Sequence, residues 1–220
     1  MIKTKFILAI AVTGIISAHT SCDEIQKKAG ASTLLQQEWT KQTVSEHVKD
    51  WPGTANEAAQ AMLEEYGVPD EITNYRLIWH NKGDFRETIV YREEIDHNFP
   101  MPHKDVLEQS INYDLPSEKL AEIANYDGSI IIKRTKGIMS ATCDKEPMNY
   151  LALNLAHEVA TGKRSPESAR DFYTKTATDF MRGKKNKYTK KLMFIPSTKT
   201  GYPDKSTIDD ETLEEIFGQR

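Results

Sequence analysis

The sequence predicts an α+β domain in which an antiparallel sheet of about five strands packs against helices and closes with a C-terminal helical pair. Three observations carry this. Residues 54–93 read as a helix, a strand, a turn and a returning strand, which is a hairpin beside a helix. SIIIKRTKGIMSATC, residues 129–143, reads as a second hairpin turning at Lys136-Gly137. Two amphipathic stretches follow, at about 145–161 and from Ser165 onward. Only GKRS joins them, so an antiparallel pair on the sheet is expected.

From Thr33 to Asp50 the chain is helix-compatible, with Leu34, Leu35, Trp39, Val44 and Val48 as apolar positions, and WPG at 51–53 ends it. Thr54 followed by Glu57 predicts a capping box, which ties off free backbone N–H groups at a helix start. Ala58, Ala61, Met62 and Leu63 then recur at helical spacing, and Gly67 and Pro69 close the helix. NYRLIWHN alternates, placing Tyr75, Leu77 and Trp79 on one face and Arg76, Ile78 and His80 on the other. NKGD turns the chain into FRETIVYRE. VLEQSINYDL reads as a further strand. A short helix follows with Pro116 near its start and Leu120, Ile123 and Ala124 as its inner face. The first helix of the pair carries Met148, Leu151, Ala152, Leu155 and Val159 on one stripe. The second is capped by Ser165 and carries Ala169, Phe172, Tyr173, Thr176, Ala177, Phe180 and Met181. KKLMFI at 190–195 is expected as an edge strand, and DDETLEEIF as a short helix with Leu213, Ile216 and Phe217 on one side.

Composition narrows the class. The 220 residues are 38% apolar and 28% charged, with a net charge of −4. That acidity argues against nucleic acid as a partner. No apolar run reaches about 18 residues, so a polytopic membrane protein is excluded.

The N-terminus differs in kind from the rest. Lys3 and Lys5 precede an apolar stretch from Phe6 to Ala18, and Ser21 stands before Cys22. Thirteen apolar residues are too few to span a bilayer and suit a signal peptide. The arrangement resembles bacterial lipoprotein signals. The resemblance implies removal of residues 1–21, a palmitate-type lipid on Cys22, and a place in the cell envelope, expected at the outer membrane with the leaflet left open. Residues 22–32 then form a tether, 33–183 a single domain and 184–220 a polar tail. Cleavage takes two of the 29 basic residues and none of the 33 acidic ones, leaving −6. Cys143 becomes a free thiol, and only an unlipidated Cys22 would be open to a disulfide with it. The sequence of helix, Gly67-x-Pro69, strand and Trp79 is similar to that of small outer-membrane lipoproteins of the barrel-assembly kind. This also implies an envelope role and carries over no site residues.

The chemistry-bearing stretch is EEIDHNFPMPHKD, residues 93–105. His97 and His103 stand six apart with Asp96, Met101 and Asp105 nearby, and the hairpin would bring His80 close. Imidazole with carboxylate suits zinc, and a thioether leans toward copper. The spacing matches no closed metal site, and Pro100 and Pro102 explain the stretch as a stiff surface loop with its charges in water. No cofactor is expected on that reading. In LNLAHEVATG the zincin HExxH pattern fails at Thr161, and Asn154, His157, Glu158 and Thr161 read as a polar stripe facing solvent. RGKKNKYTKK, residues 182–191, reads as a solvated basic connector that would also suit anionic headgroups. No phosphate loop, GxSxG elbow or Cys–His pair is visible. The expected function is a non-catalytic envelope lipoprotein, held to the membrane by lipid, that binds a protein partner or an envelope component. The alternative is a metal- or small-ligand-binding protein, including a hydrolytic one, built on the 94–105 loop with His80, Asp96, His97 and His103.

Overall fold

Six antiparallel strands form one sheet in the order β1-β2-β3-β4-β6-β5. The strands are β1 (Glu71–Ile72), β2 (Arg76–Lys82), β3 (Phe85–His97), β4 (His103–Asn112), β5 (Ile130–Lys133) and β6 (Ile138–Cys143). The helices are α1 (Lys41–Val48), α2 (Gly53–Tyr66), α3 (Leu120–Tyr126), α4 (Glu146–Ala160), α5 (Pro166–Met181) and α6 (Asp210–Phe217). This computed structural model describes residues 38–197 and 203–218. The signal peptide, Cys22 and the tether lie outside the described residues. The α+β class is as expected, and the sixth strand is the two-residue β1 on the edge of β2.

Two apolar clusters hold the helices to the sheet. Under α1 and α2, Val44, Val48, Ala55, Ala59 and Met62 meet Leu77, Trp79, Val90 and Leu107. Under α3, α4 and α5, Ile123, Leu151, Leu155, Val159 and Tyr173 meet Ile111, Met139 and Ala141. Trp79 is fully buried, and its indole N–H donates to the Gly67 carbonyl at 2.8 Å. Gly67, at φ 81°, ends α2 in a conformation that a side chain would strain. Ser165 caps α5 as expected, accepting from the Ser168 N–H.

Several local expectations are corrected. The start of α2 is not a Thr54–Glu57 capping box. The Glu94 carboxylate instead accepts from the backbone N–H groups of Thr54 and Ala55, at 2.9 and 3.2 Å. A bulge in β3 delivers it: Val90 pairs with Leu107, yet Ile95 pairs with Asp105. The inner face of α3 is Ile123 and Tyr126, whereas Leu120 is exposed. Tyr75 is exposed as well, because β2 begins one residue later.

The polar stripe on α4 does not face solvent. Asn154 and Glu158 are buried because the chain after α5 folds back across them. Asn154 donates to the Tyr188 and Lys191 carbonyls and accepts from the Met193 N–H at 2.7 Å. His157 stacks on Phe194 at 4.0 Å. KKLMFI is therefore no strand. Its backbone is held by an asparagine side chain, where a strand would be held by a ladder.

Candidate metal centre

The far end of the β3–β4 hairpin gathers the titratable groups. His97 closes β3, His103 opens β4, and the two residues are register partners with ring centroids 4.9 Å apart. Only residues 98–102 connect them. Side chains alternate along a strand, so Asp105 stands on the same face as His103. Asp127 and Ser129 arrive from the turn between α3 and β5, and Cys143 from the end of β6. The expectation of charges facing water holds for Glu93 and Asp96 and fails for Asp105 and the two histidines. Asp105 is 7% exposed and Asp127 4%. The His97 and His103 side chains are 20% and 13% exposed.

Asp105 is the hub. Its Oδ1 lies 3.3 Å from His103 Nε2, and its Oδ2 lies 3.5 Å from His97 Nδ1 and accepts from the Ser129 hydroxyl. Oδ1 is buried and receives no directed hydrogen bond, although the imidazole edge is within ion-pairing range. A buried carboxylate oxygen left so is costly unless a cation faces it.

The histidines are oriented from behind. His103 Nδ1 lies 2.9 Å from the Met101 carbonyl. A carbonyl only accepts, so Nδ1 carries a hydrogen and Nε2 is turned toward Asp105 and Cys143. His97 Nε2 faces Asp127 at 3.7 Å, and Asp127 is itself held by the Ser129 N–H at 2.9 Å. Each imidazole thus has a carbonyl or carboxylate behind it and its second nitrogen aimed at the cluster, the arrangement that supports metal-ligating histidines.

Electrostatics follow the burial. The Asp105 carboxylate and the Cys143 sulfur outweigh burial at His103 and push it up to about 11. Burial pushes the Asp127 carboxyl up, with the Ser129 N–H and His97 working against it. Burial also raises the Cys143 thiol, whose Sγ lies 3.5 Å from His103 Nε2.

Ligand atoms of His97, His103 and Asp105 all lie within 4.8 Å of one another. Zinc bound to nitrogen and oxygen at about 2.0–2.2 Å in a tetrahedron separates its ligands by roughly 3.4 Å. Each imidazole stands near that spacing from its own Asp105 oxygen, His103 at 3.3 Å from Oδ1 and His97 at 3.5 Å from Oδ2. Comparison with known protein families, curated proteins and solved structures found no match. The roles assigned to these residues therefore stand on geometry alone.

Of the residues singled out from sequence, the fold brings His97 and His103 together and leaves two aside. His80 sits on β2 between Glu71 and Glu87, at 2.9 and 3.6 Å. Asp96 points to the other face of β3 and pairs with Lys104. Asp105 carried a readable signal, since His-x-Asp on a strand shares one face. Asp127, Ser129 and Cys143 carried none, because only the sheet order and the α3–β5 turn bring them near.

The order Ser129, His97, Asp127 has the atom types of a hydrolase triad. However, the Ser129 hydroxyl gives its one proton to the Asp105 carboxylate. A nucleophilic serine has to give that proton to the imidazole.

Proposed function

We propose that this protein is a lipid-anchored envelope protein that binds a divalent transition-metal ion, with zinc best suited to its donors, between His97, His103 and Asp105. The observation that carries the reading is the convergence of two oriented imidazoles on one buried carboxylate, His103 on the Oδ1 that receives no directed hydrogen bond and His97 on Oδ2. Two imidazoles and a carboxylate are a zinc-competent set, and Met101 presents its carbonyl to His103 in a supporting role. The signal-like N-terminus ending at Cys22 supports the anchor, and among the described residues no helix is long and apolar enough to cross a membrane.

Mature protein stripped with chelator and exposed to zinc should retain one ion per chain by elemental analysis. His97→Ala with His103→Ala should retain none. A wild-type protein that holds no zinc sinks the metal reading. The anchor has its own check. Cys22→Ala should move the protein from the membrane fraction to the soluble fraction. An unmodified residue 22 in the mass of the intact protein would count against it.

A further inference from the structure

We infer that the strap after α5, residues 182–195, is a docking surface for an anionic lipid bilayer. This rests on the envelope placement above and adds the face that the domain turns to the membrane. Arg182, Lys184, Lys185, Lys187, Lys190 and Lys191 fall within ten positions, and no acidic residue occurs from Phe180 to Pro203. All six basic side chains are exposed. Lys184 pairs with Asp179 at 2.7 Å, whereas Lys185, Lys187, Lys190 and Lys191 have no ion-pair partner among the described residues. A chain that is acidic as a whole, at −4, thus concentrates unneutralised positive charge on one segment.

The strap is a fixed platform. Asn154 holds the Tyr188 and Lys191 carbonyls and the Met193 N–H. Asp84 accepts from the Leu192 N–H at 3.3 Å, and the Ser197 N–H donates to the Asn112 carbonyl at 3.1 Å. Along it the side chains alternate. Leu192 and Phe194 pack into the apolar cluster under α4 and α5. Lys191, Met193 and Ile195 are exposed, Ile195 at 92%. That alternation turns apolar side chains outward beside lysines, the pairing that suits the boundary between headgroups and acyl chains. A soluble polyanion would engage the lysines and leave Ile195 in water. Residues 22–37 span at most about 55 Å, and a domain of this size is about 40 Å across. The anchor therefore lets any face meet the bilayer, and the charge pattern selects which. The attraction decays within about 8 Å at physiological salt, so the contact orients a domain that the lipid already holds and does not replace the anchor.

Unlipidated mature protein, Cys22→Ala, isolates the strap from the anchor. In vesicle flotation at low salt it should bind phosphatidylcholine vesicles that contain about a third phosphatidylglycerol, and it should ignore pure phosphatidylcholine. Raising the salt to about 0.5 M should release it. Each basic residue near the surface is worth about fivefold in affinity, so adding Lys185→Gln, Lys190→Gln and Lys191→Gln should weaken binding about a hundredfold. Adding Ile195→Ser instead should weaken it at least fivefold and leave binding to soluble polyphosphate unchanged. All four positions are exposed, so thermal melts should match those of the parent. An unmodified residue 22 in the intact protein would remove the anchor and leave the vesicle result in force. No binding to the anionic vesicles, or undiminished binding by the lysine variant, overturns the docking surface and leaves the anchor standing. Vesicle affinity unchanged by Ile195→Ser assigns the strap to soluble polyanions and overturns the bilayer.

Discussion

Zinc held about a thousandfold above its dissociation constant should stabilise the fold by about 4 kcal/mol, and Asp105→Asn should abolish that gain. For a domain of this size the gain corresponds to a rise of roughly 8–16 °C in unfolding temperature. The expectation follows from where the ligands sit. His97 ends β3, His103 and Asp105 open β4, and the two strands are register partners at that point. The site exists only when the hairpin is closed, so ion binding is coupled to folding. Asn keeps the shape of Asp105 and removes the charge that an ion would face. Metal-free protein offers a second comparison. His103→Ala there should cost about 3 kcal/mol, because it strips the imidazole edge from a buried carboxylate. A histidine that merely faced water would cost less than about 1 kcal/mol. Scanning calorimetry with and without zinc reads both effects. Identical curves for wild type, with zinc shown to be in excess, would refute the coupling.

The cluster sets two imidazoles against two carboxylates, Asp105 and Asp127. One divalent ion with both rings neutral would balance the two carboxylates in charge. The low-dielectric setting enforces such a balance, since an uncompensated charge at this depth is expensive. The same residues can therefore form a quiet ion-pair network without metal and a ligand set with it. This is why the stretch EEIDHNFPMPHKD could be read as a structural loop.

How much could be read from sequence varied with the distance over which the deciding contact acts. The hairpins and the capped helix α5 were legible because each is fixed within a dozen residues by alternation, a turn glycine or a capping serine. The start of α2 was misread because its cap comes from Glu94, forty residues away and displaced by a bulge. The stripe Asn154, His157, Glu158 looked solvent-facing because helix periodicity shows which residues share a face and not what covers that face. The cover is the strap around Tyr188 and Phe194, whose run of lysines argued for water. At the site, His97 and His103 were legible as neighbours across a hairpin. Asp127 was not, because its approach depends on β5 lying beyond β6 in the sheet order.

That same strap sets the largest acid sensitivity expected in the fold. Glu158 is 3% exposed near the end of α4 and receives hydrogen bonds from Lys163, Arg164 and Tyr188, thereby linking α4, the turn into α5 and the strap. Burial alone would raise its carboxyl, but these three donors overcome it and hold the group down at about 2, against an ordinary 4.5. A carboxyl whose value is depressed by folding contributes stability that is fully present above the unfolded value. That stability is lost as pH falls through the folded value. The window therefore runs from about pH 4.5 down to about pH 2. The displacement corresponds to roughly 2–3 kcal/mol once the solvent screening of the exposed Lys163 is allowed for. Glu158→Gln keeps the size of the side chain and removes the charge. It should lower stability at pH 7 by about that amount. In urea titrations between pH 5 and pH 2.5 it should lose correspondingly less stability than wild type, so the two proteins converge in acid. Parallel losses across that range would mean that the buried carboxylate is not what ties the strap to α4.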